Sequence, residues 1–391
     1  MNTSAVTSEI STSPPLQVDE LTLDWLQSAM GDHLGGAELT GFESAIIGVG
    51  EGFLGQLARL QLSFSGDGGD VPKSVIAKFA STNTETRERA KDQNLYYREI
   101  CFYRDLGQDV GISVPVCYYS LFLEESNHFV MLLEDLAPGE TSDQVVGSDK
   151  ETSREVIEQF ARLHAKWWND DSLEEYDWAK WLIREMPMEQ ALDLLKASIK
   201  EVEETGKFDA YPEMKRLIYM LPPLFRMEPA PPHPFSLAHG DLRSDNIIRP
   251  TAAGGRFAVI DWQLAGKGDP VNDIVRWLVQ SISVEDRRET EQELLKLYHD
   301  RLIENGVEGY SYRAFINNYK INIIVVFLMF AMPMDAVDQT PERAKELFHQ
   351  FYARVDAALV DWEIEKLLKV LPYMIPFIKI STWLKMKLGI K

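Results

Sequence analysis

The spacing of apolar residues changes period once along the chain, and that change restricts the fold more than any single motif. Between residues 36 and 136 the pattern is that of strands around one helical stretch. "AIIGVGEGFLGQLARLQLSF" alternates apolar and polar residues on both sides of a glycine cluster, which predicts a two-stranded hairpin. "KSVIAKFA", "VPVCYYSLFL" and "HFVMLLEDL" predict three more strands. Residues 84–107 predict a helix with Leu95, Ile100, Phe102 and Leu106 on one face. Ahead of them, "LTLDWLQSAMG" has helical spacing and stops at Gly31. Beyond about residue 150 the period is helical. "SREVIEQFARLHAKWWN" is amphipathic, and segments near 187–206, 211–226, 272–282, 285–305, 312–332 and 341–360 continue the pattern. The exception is 236–263, where "SLAHGD", "NIIRP" and "RFAVIDW" set short apolar runs between turns, a small β element inside the helical half. Such a chain is α+β, a small β-rich lobe followed by a larger, mainly helical one.

The expected organisation is a disordered leader over 1–17, an N-terminal lobe of antiparallel sheet plus helix over 18–136, a helical lobe over 137–365, and a basic apolar tail over 366–391. The leader lacks the basic segment and apolar core of a signal peptide. The apolar run from Ile321, "INIIVVFLMFAMPM", is too short to span a bilayer and reads as a buried helix. Cys101 and Cys117 are the two cysteines. They have no zinc-type spacing and suggest no disulfide framework, which fits a reducing, cytoplasmic setting. The 61 acidic residues against 40 basic ones give a net charge of -21, a field that repels nucleic acid and attracts cations. It reads either as solubility or as an acidic cleft for a cationic substrate. The tail holds six lysines and no acid. It either docks on the acidic body or makes a weak peripheral contact with a membrane surface.

Four constellations fall on these elements. In "LAHGDLRSDNIIRP", His239-x-Asp241-x4-Asn246 has the spacing of a loop on which an Asp meets an attacking hydroxyl and an Asn binds magnesium. A tight loop of that length can aim both oxygen groups at one phosphate. Asp261 ends the strand of "FAVIDWQ", 15 residues past Asn246, as a second metal ligand or as a turn residue. Lys78 lies inside an apolar strand and needs an anion if it is buried. Glu99 in "YYREICFY" is the candidate partner, and the alternative is an exposed strand face. Gly48-x-Gly50-x-Gly52-x-x-Gly55 sits between two strands, as a cover for phosphates or as a hairpin turn. A dinucleotide fold or a Walker loop would need strand-turn-helix there.

Taken in order, these pieces resemble the aminoglycoside phosphotransferase and choline kinase superfamily, which has a two-lobed, protein-kinase-like fold. "LAHGDLRSDNII" and "VIDWQ" resemble this group more than protein kinases, which carry Arg after the His and Phe-Gly after the second Asp. "GVGEGFLGQLARLQL", "REICFY" and "LLEDL" are most similar to the ecdysteroid-kinase-like branch, and the resemblance covers roughly 36–360. It implies a phosphotransferase that uses ATP and Mg2+ to phosphorylate a hydroxyl of a small organic molecule, an aminoglycoside-, choline- or steroid-like alcohol. It implies that Asp241 is the catalytic base or orienting carboxylate, and that Asn246 and Asp261 hold magnesium. Lys78 would position the ATP phosphates, held by Glu99, with Gly50 and Gly52 over them. Backbone groups of Glu134, Asp135 and Leu136 would meet adenine, and His239 and Asp273 would support the loop.

Other residues keep two readings. Asp273 is alternatively a helix-start carboxylate. Arg243 and Ser244 touch phosphate or are solvated, and His164, Trp167 and Trp168 pack or bind ligand. Trp178, Trp181 and Tyr211 line an apolar pocket or belong to the core. No stretch between Asp261 and residue 300 resembles an activation loop closed by Ala-Pro-Glu, which favours a small-molecule acceptor over a protein. The competing class is an inactive pseudokinase that serves as a nucleotide-dependent binding module. The full set of ATP and metal residues counts against it.

Overall fold

The computed structural model describes residues 13–48, 55–66, 69–180, 187–226, 234–331 and 342–371. The chain forms two compact units. The first joins Met1–Thr141 with Asn246–Ala265, and the second joins Ser142–Asp245 with Gly266–Lys391.

In the first unit, helix α1 (Leu23–Met30) begins where the Thr22 side chain accepts the Trp25 amide, and Gly31 ends it. Strands β1 (Leu39–Ile47), β2 (Gly55–Phe64), β3 (Ser74–Ala80), β4 (Cys117–Leu123) and β5 (His128–Glu134) form one antiparallel sheet in the order β1-β2-β3-β5-β4. Alternation by twos puts Ala58, Leu60, Val75, Ala77, Phe79, Val130 and Leu132 into a core with Trp25, Leu26 and Met30. Lys78, one residue out of phase with Ala77 and Phe79, therefore leaves the opposite face, between Leu57 and Met131.

The helix expected over 84–107 is two helices, α2 (Thr84–Asp92) and α3 (Leu95–Asp105). After Ala90 the residues Lys91, Asp92, Gln93 and Asn94 offer nothing to continue an apolar stripe. Asn94 takes a left-handed conformation at φ 53, which its short polar side chain tolerates. The new helix then buries Leu95, Glu99, Ile100, Cys101 and Phe102.

Residues 246–265 complete this unit. Strands β6 (Glu140–Thr141), β8 (Ile247–Arg249) and β9 (Ala258–Val259) form a small sheet in the order β6-β8-β9. The Val259 amide donates to the Ser113 carbonyl at 2.9 Å. Trp262 stacks on Phe102 with ring centres 4.1 Å apart and planes 6° apart. Gly255, at φ 96, lies so close to Gly139 that a Cβ would sit 2.9 Å from its nitrogen.

The second unit is mainly helical. Its helices are α4 (Lys150–Lys166), α5 (Met188–Thr205), α6 (Pro212–Leu217), α7 (Pro270–Gln280), α8 (Val284–Glu304), α9 (Tyr312–Ala331) and α10 (Glu342–Asp361). Strands β7 (Ser236–Ala238) and β10 (Gly266–Gly268) pair antiparallel. Helix α7 is buried at every position, with α9 and α10 packed on it and α4 packed on α8. It starts at Pro270 behind Asp269, whose side chain accepts the Val271 amide.

The apolar run from Ile321 is the second half of the helix expected near 312–332. α9 begins nine residues earlier, at Tyr312, because turns bearing Arg313, Asn317, Asn318 and Lys320 precede the run. Its 20 residues are long and apolar enough to cross a bilayer. Half of its apolar stretch is buried within the protein, and Asn318 and Asn322 bind Asp269 while Tyr319 binds Glu291. Those contacts are those of a core helix. Beyond α10 a last helix covers 364–371, and the rest of the tail lies outside the described residues.

Candidate functional site

In the first unit, β3 and α3 bring Lys78 and Glu99 together. The ammonium donates to both Glu99 oxygens, at 2.8 and 2.7 Å, and to Asp261 Oδ1 at 3.0 Å. The Lys78 side chain is 15% exposed and that of Glu99 only 1%. Burial works against the Lys78 charge, but Asp261 and Glu99 outweigh it and push its pKa up. Burial lifts Glu99, opposed by the ammonium that both its oxygens contact.

Asp261 stands at φ 65, a left-handed position that Asp tolerates and that turns its carboxylate out of the β9 strand line toward Lys78. Its second oxygen accepts from Gln263 Nε2 at 3.2 Å. Asn246 lies beside it in the same unit: its carbonyl accepts the Ile260 amide at 3.0 Å, and the next pair is Ile247 with Val259. The Asn246 side chain is buried. A carboxylate and an amide oxygen on adjoining segments are hard oxygen donors of the kind magnesium takes, with the remaining positions left to water and phosphate. Among the described residues no group of three or more His, Cys, Asp or Glu forms a metal cage.

The adenine-contact candidates follow β5. The Glu134 carboxylate accepts from the Val116 amide at 3.0 Å and pairs with Arg256. The Asp135 carboxylate takes Ser74 Oγ at 2.8 Å, Arg59 Nε at 2.8 Å and the Ala137 amide at 3.1 Å. Both acidic side chains thus pin the segment. The Glu134 amide donates to Val116, and the Leu136 carbonyl accepts from Gly139. No partner is found among the described residues for the Leu136 amide.

Two of the four motif glycines have a physical reason to be glycine. Gly48 stands at φ 65, and a Cβ on Gly55 would come within 2.6 Å of the Phe79 carbonyl oxygen. Gly50 and Gly52 lie outside the described residues.

In the second unit, the loop after β7 is held residue by residue from α7. Asp273 accepts the His239 amide at 2.7 Å and the Gly240 amide at 2.9 Å. The Asp241 amide donates to His239 Nδ1 at 3.2 Å. His164, on α4, lies with Nε2 at 3.3 Å from Asp273 and Nδ1 at 2.8 Å from the Tyr298 hydroxyl. Burial opposes the Asp273 charge, but the hydrogen bond and charge of His164, together with His239, hold its pKa down. His164 is fully buried and belongs to the packed interior behind Asp273. Its position on the buried face of an amphipathic helix was the only signal in the sequence, and Tyr298 had none.

The far side of the loop is braced as well. The Ser244 amide donates to Gln144 Oε1 at 2.6 Å, and its hydroxyl lies 2.8 Å from that of Ser148. Gln144 in turn donates to the Gln280 carbonyl at 2.8 Å. Arg354, from α10, donates to the carbonyls of Gln144 and Val145, both at 2.8 Å, and burial lowers its pKa to about 10. Ser244 is fully buried, so the solvated reading of that residue does not hold. Arg243 instead binds Asp241 at 3.2 Å and Asp245 at 2.7 Å. Arg276 approaches the other oxygen of Asp241 at 3.1 Å. Burial opposes ionisation of Asp241, and Arg243 and Arg276 overcome it, leaving its pKa below the usual carboxylate range. Trp178 and Tyr211 are buried core residues, as is Trp167, whereas Trp181 lies outside the described residues.

Solved structures share this architecture. A candidate aminoglycoside phosphotransferase from Ralstonia eutropha superposes with a TM-score of 0.50 at 16% identity, covering 87% of this chain and 97% of that one. Choline kinase from Cryptosporidium parvum gives 0.51 at 12%, covering 83% and 91%. The fold is therefore that of the aminoglycoside phosphotransferases and choline kinases, with a β-sheet N-terminal region and a helical C-terminal region. The chain belongs to the ecdysteroid kinase-like family, whose model matches residues 49–307. A kinase-like protein of Caenorhabditis elegans is 28% identical over 226 residues, which are 53% of this chain and 56% of that relative. The match thus spans little more than half the length of each.

Proposed function

We propose that this protein is an ATP- and Mg2+-dependent kinase that transfers the γ-phosphoryl group to a hydroxyl of a small organic alcohol. The observation that carries the reading is Lys78, bound at once to Glu99 and to Asp261. A buried ammonium fixed by one deeply buried carboxylate, with a second carboxylate at its other side, is a cation site set beside an anion site. ATP presents the complementary pair, phosphate oxygens and the metal they carry.

In this reading Lys78 contacts the α and β phosphates, and Glu99 keeps it in place. Asn246 and Asp261 hold magnesium, which when bound neutralises charge on the phosphate oxygens. The Leu136 amide is the hinge donor available to adenine. Gly50 and Gly52 cover the phosphates. Asp241, five residues before Asn246, accepts a hydrogen bond from the acceptor hydroxyl and orients its oxygen toward phosphorus. The bond from phosphorus to the β-γ bridging oxygen breaks, the bond to the acceptor oxygen forms, ADP leaves, and the hydroxyl proton passes to Asp241 or solvent. His239 and Asp273 keep the loop in shape. The acceptor is an aminoglycoside-, choline- or steroid-like alcohol. Cys101 and Cys117 form no disulfide with each other, which suits action in the cytoplasm.

The test is a panel of aminoglycosides, macrolides, choline, sterols and sugars, scored for ADP release with MgATP, alongside thermal unfolding with and without MgATP. We expect nucleotide binding to stabilise the protein by about 2.7 kcal/mol at a hundredfold excess over Kd, and at least one alcohol to release ADP. No stabilisation would sink the ATP reading. Stabilisation without ADP release from any alcohol or from water would make the protein a nucleotide-dependent binding module instead.

A further inference from the structure

Helix α7 presents two opposite charges one turn apart, Asp273 and Arg276, to the same loop. Asp273 engages the amides of His239 and Gly240. Arg276 reaches the next residue, with Nη1 at 3.1 Å from Asp241 Oδ1. We propose that Arg276 is a positioning residue for phosphoryl transfer, which keeps the Asp241 carboxylate ionised and aimed so that it orients the acceptor hydroxyl. This rests on the role given to Asp241 above and adds the device that fixes it.

Both arginines touch Asp241, but only one is built in. Arg243 belongs to the loop itself, is 17% exposed at its side chain, and divides its guanidinium between Asp241 and Asp245. Arg276 is 8% exposed and anchored on three sides. Its Nε donates to Asn272 Oδ1 at 3.2 Å, and its Nη2 lies 3.0 Å from the Met329 sulfur. Asn272 is held in turn by Asn322 at 3.1 Å, and Asn322 by Asp269 at 2.9 Å. A planar fork can serve all three directions at once, whereas a lysine offers one point charge on a flexible stem. A buried ion pair adds little net stability over apolar residues of the same volume. What the pair does supply here is a fixed direction and charge state for a carboxylate on the loop.

Among the described residues, the loop brings His239, Arg243 and Asp245 to Asp241, and α7 brings Asp273 and Arg276. Helix α4 brings His164, which faces Asp273, α8 brings Tyr298, which faces His164, and α9 brings the uncharged Met329. Burial disfavours the charge on both Asp241 and Arg276, and each favours it on the other. A carboxylate clamped this way is a weak base. It suits a loose transition state, in which the hydroxyl needs orientation more than early loss of its proton.

The experiment uses the full chain and MgATP turnover with water as the acceptor, followed from about pH 2 to pH 8 in wild type, Arg276→Gln and Arg276→Lys. For Arg276→Gln we expect kcat to fall about tenfold at pH 7, KM for ATP to stay within about twofold, and the acidic limb of the profile to move up by about one pH unit. Arg276→Lys keeps the charge. Its limb should stay at the wild-type position while kcat falls about threefold for want of the fork. In an Asp241→Asn background, Arg276→Gln should cause no further loss. A limb in Arg276→Gln that coincides with wild type overturns the proposal. If that variant does not fold, Arg276→Lys decides alone, and a wild-type kcat there overturns it. Absence of wild-type turnover with water and with every alcohol of the panel would instead sink the kinase reading. The pair is then tested by urea unfolding of Asp241→Asn, Arg276→Gln and the double variant. Coupling at pH 7 that fades as pH falls through the depressed Asp241 pKa supports the assignment, and additivity at pH 7 overturns it.

Discussion

The two charge clusters are near inverses of one another. In the first unit one cation, Lys78, is held by two carboxylates, Glu99 and Asp261. In the second unit one carboxylate, Asp241, is held by two guanidiniums, Arg243 and Arg276. Each trio has a deeply buried anchor and a more open member. Glu99 is 1% exposed against 22% for Asp261, and Arg276 is 8% exposed against 17% for Arg243. The difference lies in what each trio still attracts. The first carries a surplus negative charge and draws a cation, whereas the surplus positive charge of the second is met by Asp245, which Arg243 also binds.

Three substitutions sharpen or break that contrast. Asp241→Asn removes the central anion of the second trio while keeping its shape. We expect kcat to fall about 10³-fold with the fold intact, and a single-turnover rate equal to wild type would end the assignment. Lys78→Met removes the central cation of the first trio. The expected loss is about 10²-fold in kcat/KM for ATP, measured by steady-state ADP release, and an unaffected constant would show that the first trio is structural only.

Asp273→Asn leaves both trios intact and removes the carboxylate beneath the loop. It should lower stability by about 2 kcal/mol at pH 7, read by urea unfolding. The folded pKa of Asp273 is depressed, so its contribution is present above the ordinary carboxylate range and lost as pH falls through the folded value. The difference between wild type and variant should therefore shrink between pH 4 and pH 2. A difference that stays constant over that range would contradict the ionised reading of Asp273.

Much of this could be read from residue spacing, because spacing reports which face of an element is buried. The strand position of Lys78, its partner Glu99 and the helices of the second unit all follow from it. What spacing does not report is allegiance. Residues 246–265 hold strands too short to carry a period, so nothing in them says that they join the first unit. The break at Asn94 was hidden because charged residues suit an exposed helix and a turn alike. The supports of the Asp241 loop were hidden for another reason. His164, Gln144, Tyr298 and Arg354 lie far from it in sequence and act through single hydrogen bonds, which leave no pattern in a linear chain. Arg276 stands on a helix that is buried all round, and spacing does not single it out there.

The division of the first unit has a consequence for the order in which the chain is made. When Thr141 has been synthesised, the five-stranded sheet is complete but three partners are missing. Lys78 lacks Asp261, Glu134 lacks Arg256, and Phe102 has no Trp262 to cover it. They arrive only after the intervening segment has been translated, on the order of ten seconds later. Through that interval the nascent sheet holds an exposed aromatic ring and a cation with a single counter-charge. Closure of the first unit therefore waits on residues translated after the Asp241 loop.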